Sequence, residues 1–264
     1  MQNSDQFGHL VFLGTGTSQG IPVIGCECEV CASSDPRDSR SRSSLYVRVA
    51  NKAFLIDCGP DFRSQMLANN LTHIDAVLLT HEHQDHIAGM DDLRPIIFRT
   101  GKPIHIYGQT RTLNRVQKVF DYAFSVQPYP GAPRFELHAI EDESCSIAIG
   151  EVQVQPIPVM HGKLPILGYR IGQMAYLTDT NGIPKASLAL LQDLDVLILD
   201  ALHHRDHYSH FTLEQAVSCA QQVGAKRTYF IHASHEMGSH EANSSTLPNG
   251  MFISYDGLAL DFEL

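Results

Sequence analysis

No apolar stretch in this chain approaches the roughly 20 residues that a membrane-crossing helix needs, so no membrane partner is expected. The start, Met1-Gln2-Asn3-Ser4-Asp5-Gln6, shows neither a basic segment nor an apolar one, and no export signal is expected there. Positive charge is scarce: 19 Lys and Arg stand against 29 Asp and Glu, for a net charge of −10. A broad contact with a phosphate backbone needs the opposite balance, which disfavours nucleic acid as a partner. Arg37, Arg40, Arg42 and Arg48 form a local basic patch, expected on an exposed loop and strand. No Gly/Ser linker, low-complexity run, charge block or fixed-period repeat divides the 264 residues, so one domain over 1–264 is expected. Its 43% hydrophobic content can fill a complete core. Of the six cysteines, Cys58, Cys145 and Cys219 are isolated and read as core residues. The other three are clustered, and clustered thiols without an export signal suit a reducing, cytoplasmic location.

What is present is an alternation of strand and helix patterns. Val77 to Thr80 reads as a buried strand, and Ile87, Met90, Leu93 and Ile97 recur at helical spacing after it. A strand at Ile104–Tyr107 and a helix over Leu113–Ala123 follow, then strands around 147–158, 167–178 and 195–200. A helix over Leu213–Val223 precedes a strand over Arg227–Ile231. The class is α/β. Between them, Gln127-Pro128-Tyr129-Pro130-Gly131-Ala132-Pro133 interrupts regular structure; a Pro-rich surface turn and a substrate lid within 121–134 are both open readings.

The densest chemistry lies at Thr80-His81-Glu82-His83-Gln84-Asp85-His86, in the loop between that buried strand and helix. Four metal-donor side chains in six positions suit Zn, Mn, Fe or Ni better than Ca or Mg. Loops at the carboxyl ends of strands are where α/β proteins build their sites. A second cluster, Cys26-Glu27-Cys28-Glu29-Val30-Cys31, lets three thiolates converge on one ion. On these residues alone a zinc site, reduced surface thiols and a redox pair all remain open. Val11 to Gly20 is Gly-rich but lacks the Lys of a phosphate-binding loop, and is read as structural.

The H-x-H-x-D-H run resembles that of the metallo-β-lactamase superfamily. The resemblance implies two facing mixed β-sheets with helices outside, an αβ/βα sandwich. It also implies two divalent ions: one held by His81, His83 and a later His, the other by Asp85 and His86. The later His is His161 in Pro156-Ile157-Pro158-Val159-Met160-His161-Gly162; the bridging Asp is Asp179 in Tyr176-Leu177-Thr178-Asp179; the last ligand is His232 in Ile231-His232-Ala233-Ser234. Asp57, in Phe54-Leu55-Ile56-Asp57-Cys58-Gly59, matches a residue that steadies the metal loop without ligating. Within the superfamily the chain is similar to the phosphoribosyl cyclic phosphate phosphodiesterase subgroup. That likeness implies a structural zinc on Cys26, Cys28, Cys31 and His235, and through His210-Phe211-Thr212 it implies His210 as general acid.

The implied activity is dinuclear phosphodiester hydrolysis of a small cyclic substrate such as a phosphoribosyl cyclic phosphate. A hydroxide held between ions roughly 3.5–4 Å apart would attack phosphorus. Asp85 would orient it as a weak base, and His210 would protonate the leaving alkoxide. Three alternatives stand beside it. A tRNA 3′-processing endonuclease shares both motifs but needs a gripping arm that is not evident here. A lactonase, thioesterase or β-lactamase of the same fold does not need His210. A redox or non-catalytic metal-binding homologue is the third, although the oxygen-reducing branch has Glu where His83 stands. A small-molecule partner is expected, and a homodimer is compatible with the chain. His9, His73, His105, His138 and His240 are read as structural, and the roles of His203, His204 and His207 are left open.

Overall fold

The computed structural model describes residues 6–264; residues 1–5, most of the segment read above for an export signal, lie outside the described residues. The strands are β1 (Phe7–Gly14), β2 (Ser44–Val49), β3 (Lys52–Ile56), β4 (Ala76–Leu78), β5 (Ile104–Gly108), β6 (Phe135–Ala139), β7 (Ile147–Ile149), β8 (Val152–His161), β9 (Leu164–Ile171), β10 (Met174–Leu177), β11 (Val196–Asp200), β12 (Arg227–Ile231), β13 (Met251–Ile253) and β14 (Ala259–Glu263). They form two seven-stranded sheets, ordered β14-β1-β2-β3-β4-β5-β6 and β13-β12-β11-β10-β9-β8-β7. Both are mixed, with β3 to β6 parallel in the first and β10 to β13 parallel in the second.

The layering follows from side-chain alternation. Along β1, Leu10 and Phe12 point into a core shared with Tyr169, Tyr176, Ile198 and Ile231 of the other sheet. Their neighbours Val11 and Leu13 point the opposite way, into a cluster with Phe62, Ile97 and Val116. Those last residues belong to α1 (Phe62–Ala68), α3 (Arg94–Thr100) and α4 (Thr110–Val119), with the short α2 (Gln84–Ile87) between the first two. On the far face, α5 (Lys185–Ala189) and α6 (Leu213–Val223) cover Leu177, Leu197 and Leu199. The result is helix, sheet, sheet, helix.

Several expectations need correction. The helical pattern after His86 is divided into α2, a 3₁₀ turn at Met90–Leu93 and α3. At the break the Gly89 amide donates to the Cys58 carbonyl at 2.9 Å instead of continuing the helix, and an added Cβ there would stand 1.9 Å from the carbonyl oxygen of Gly59. Ile87, Met90, Leu93 and Ile97 are nonetheless all buried. Helix α4 stops at Val119, and a 3₁₀ turn covers Asp121–Ala123. Arg40 is buried instead of exposed, bonding Thr15 Oγ1 at 2.9 Å and the Ser254 carbonyl at 2.6 Å, with Asp256 and Asp38 supplying the opposing charge. Cys145 is exposed, not a core residue, whereas Cys58 is fully buried. The Pro-rich turn is anchored by Tyr129, whose hydroxyl accepts from Arg94 and whose ring lies 6.3 Å from Tyr122.

Candidate active site

Every expected donor of the His/Asp cluster lies at, or just beyond, the carboxyl end of a strand. His81 to His86 follow β4, His161 ends β8, Asp179 follows β10 and His232 follows β12. Strands β10 and β12 are parallel through β11, and β8 runs the same way because two antiparallel pairings separate it from β10. The sheets are tied together beside the cluster, where the Leu167 amide donates to the Thr80 carbonyl at 3.1 Å and the Tyr169 hydroxyl to Leu79 at 2.6 Å. Donors separated by 151 positions, from His81 to His232, therefore meet at one edge of the sandwich.

They meet as two groups: His81, His83 and His161 form one, and Asp85, His86, Asp179 and His232 the other, with the donor atoms of each within 4.8 Å of one another. In the first, His81 Nε2 lies 3.0 Å from His83 Nδ1. His161 Nδ1–H donates to the Ser209 carbonyl at 3.1 Å, which leaves Nε2 with its lone pair free. Burial pushes His81 well below the usual imidazole range, as a neutral ligand requires. In the second, Asp179 reaches both partners, Oδ1 lying 3.4 Å from His86 Nε2 and Oδ2 3.1 Å from His232 Nε2. Its Oδ2 is also 4.0 Å from His81 Nε2 of the first group.

Two features fit this donor set to cations. The Nε2 atoms of His86 and His232 are buried without a hydrogen-bond partner, although carboxylate oxygens face them. Orphaned buried polar atoms are costly, and an ion among them would satisfy all of them together. Asp57, Asp179 and His232 also hold left-handed backbone angles, with φ of 62°, 51° and 63°. Such conformations are rare outside glycine and cluster at functional sites.

Asp57 is placed as expected, behind the cluster. Fully buried, it accepts from His86 Nδ1 at 2.7 Å, from the Thr80 amide at 2.9 Å and from the Thr80 hydroxyl at 2.8 Å. This bond fixes the His86 ring so that Nε2 faces the cluster. The loop itself is clamped by close backbone contact, since a Cβ on Gly59 would lie 2.0 Å from the Asp85 carbonyl oxygen.

His210 sits where β11 gives way to α6. Thr212 caps that helix in a reciprocal capping box with Gln215, which sets the chain just before it. The His210 ring stacks on His232 at 4.6 Å and 13°, and stands edge-on to His161 at 4.8 Å. Its Nδ1 is 3.0 Å from Oδ1 of Asp200, whose Oδ2 accepts from the Phe211 amide. Burial alone would lower the His210 pKa, but the Asp200 charge and hydrogen bond outweigh it and raise it to about 9. Asp200 is the residue that sequence reading passed over. The signal was there: it ends an apolar strand, Val196-Leu197-Ile198-Leu199, as Asp57 follows Phe54-Leu55-Ile56.

Among the remaining histidines, His207 is 5.1 Å from the His210 ring and 5.9 Å from His203. Both line a cavity of about 460 Å³ with Thr17, Ser18, Gln19 and Arg205. His204 bonds the Met237 carbonyl and Asn243 instead.

The Cys cluster lies next to this centre. His235 Nδ1 is 3.3 Å from Cys26 Sγ, 3.3 Å from Cys28 Sγ and 3.6 Å from Cys31 Sγ. Tetrahedral zinc with ordinary Zn–S and Zn–N lengths would set those separations at about 3.5 Å. The backbone N–H of Cys31, then His235, lowers Cys28 to about 6, while burial leads the causes that push Cys31 up to about 11. A bound zinc would hold all three as thiolates.

Residues 52–233 match the model of the β-lactamase superfamily domain. An octanoyltransferase from Porphyromonas gingivalis is 40% identical over 250 residues, covering 94% of this chain and 50% of that protein. The chain therefore spans about half the length of that relative. Coenzyme PQQ synthesis protein B from Methylorubrum extorquens is 32% identical over 311 residues, covering 96% and 99% of the two chains. Among solved structures, a diphosphatase from the PhnP family superposes with a TM-score of 0.91 at 43% identity, covering 98% of both chains.

Proposed function

The chain belongs to the metallo-β-lactamase superfamily, and from that premise we propose that it is a metal-dependent hydrolase that cleaves a small phosphodiester, a cyclic one such as a phosphoribosyl cyclic phosphate. One observation carries this reading: a His held by a buried carboxylate, His210 on Asp200, stacked against a seven-donor His/Asp cluster. His81, His83 and His161 would hold one divalent ion, and Asp85, His86 and His232 a second, with Asp179 between. Zn, Mn, Fe and Ni all suit these donors. When bound, such a pair supplies an activated water and neutralises charge on phosphoryl oxygens.

The chain's own residues do the rest. Asp57 and Thr80 orient His86 and the loop that carries it. The Ser209 carbonyl holds the His161 tautomer. Asp85, whose Oδ2 lies 3.3 Å from His86 Nε2, serves as a weak base that orients the attacking water. An alkoxide leaves poorly at neutral pH, and His210, kept protonated by Asp200, gives it a proton from Nε2. A carboxylic ester or lactone has less need of such a donor, so His210 favours phosphorus over carbonyl chemistry. The likeness to a diphosphatase supports the same choice. The name of the octanoyltransferase describes a protein about twice as long.

The test is a substrate panel on metal-reconstituted protein: cyclic and linear phosphodiesters, dinucleoside diphosphates, a lactone, an octanoyl thioester and a precursor tRNA. Turnover of a small phosphodiester that stops on chelation is expected. Turnover confined to the lactone or the thioester would overturn the reading.

A further inference from the structure

Strands β5 and β6 bring together three donors outside the clusters described above. His105 and Glu136 are cross-strand partners, and so are Tyr107 and His138, so all four side chains share one face at the rim of the first sheet. Tyr107 packs against the inter-sheet core, and its ring stacks on that of His138 at 4.5 Å and 16°. That contact fixes the His138 ring with Nε2 turned toward His105.

His105 Nδ1 is then 3.0 Å from His138 Nε2 and 3.2 Å from Glu136 Oε2, and one donor atom from each residue lies within 4.8 Å of the others. A single ring nitrogen has either one proton or one lone pair, so it cannot bond well to both neighbours at once. A cation at the point common to all three satisfies each of them. Tetrahedral zinc would set the separations between nitrogen and oxygen donors at about 3.3 Å, close to those present. Glu136 balances the charge of an incoming ion.

We propose that His105, Glu136 and His138 form a further site for a divalent transition metal, with zinc as the ion it takes. Two imidazoles and one carboxylate select Zn, Ni or Cu over Ca or Mg. The site lies half exposed, so its ion exchanges with solvent more readily than those of the buried clusters. Glu136 and His138 lie on β6, which closes the edge of the sheet after the long connection 109–134. An ion there staples the edge strand to β5 and stabilises it by mass action. Hydrolysis does not depend on it.

The experiment is equilibrium dialysis of metal-loaded protein against micromolar zinc, with elemental analysis, on wild type, His105→Asn, Glu136→Gln and His138→Gln. Wild type should take up one equivalent beyond its tightly held ions, and His105→Asn and His138→Gln should lose that equivalent alone. Glu136→Gln should weaken it. Amide exchange over 135–139 should slow on zinc addition in wild type and stay unchanged in His105→Asn, while His207→Ala should behave as wild type. No further equivalent in wild type would overturn the proposal. So would its full retention in His105→Asn, a half-buried position whose change is checked for folding by an unchanged far-UV spectrum.

Discussion

His210 Nδ1 lies 3.0 Å from Oδ1 of Asp200, a carboxylate with no solvent exposure. Asp57 stands in the same relation to His86, at 2.7 Å, at the end of the first sheet's β3. Each sheet thus contributes one buried Asp that holds one site imidazole by its Nδ1, and in each case the opposite nitrogen is left for chemistry.

The Asp200 contact has a pH signature. With its pKa raised to about 9, His210 stays protonated through neutrality, and activity that needs its proton is lost as pH rises through that value. In Asp200→Asn the alkaline limb of kcat/KM should move down to the ordinary imidazole value of about 6.5 or below it, since burial then acts unopposed by that charge. The linkage to stability has the same sign. The pair's contribution is fully present below about 6.5 and is lost as pH rises through about 9. An alkaline limb that stays in place in Asp200→Asn would remove His210 from the proton-donor role.

The leaving group offers a separate probe. Nitrophenolate departs readily without a proton, whereas an alkoxide does not. His210→Ala should slow an alkyl or ribosyl phosphodiester by about 10² to 10⁴ and a nitrophenyl ester much less. Metal content should be unchanged. Equal losses on both substrates would mean that His210 binds phosphate, and a loss of metal would make it a ligand.

Asp179 stands between the two donor groups, so its removal should disable both. Asp179→Ala and His161→Ala are expected to abolish hydrolysis and to lower the bound metal. His105→Ala and His138→Ala should remain near wild type in the same assay. A fully active Asp179→Ala protein would refute the bridging assignment.

Carefully prepared protein should carry three tightly held ions, two in the His/Asp cluster and one zinc on Cys26, Cys28, Cys31 and His235. Cys28→Ser should lose one of them and unfold at lower temperature. A loss of about 2 kcal/mol corresponds to a fall of about 4–8 °C in Tm for a chain of this size. Full zinc content and an unchanged melting curve would show that the thiols are not a metal site.

Some of this was written in local sequence. Ligand type in the loop after β4 is a matter of four donors within six positions. Helix α6 and strand β12 occur over the residue ranges their patterns indicate, because a capping Thr and an ending Gly bound the first, and both are packed on their apolar positions. Tertiary structure decided the rest. Arg40 reads as surface charge until the Ser254 carbonyl, more than two hundred residues away, takes its buried guanidinium. The helix after His86 breaks where the Gly89 amide turns to the Cys58 carbonyl, a neighbour that no periodicity can reveal. The convergence of His81, His161, Asp179 and His232 is likewise not a local property: parallel pairing in two sheets puts their strands' carboxyl ends at one edge, and long-range pairing is set by the burial of both sheets' inner faces against each other.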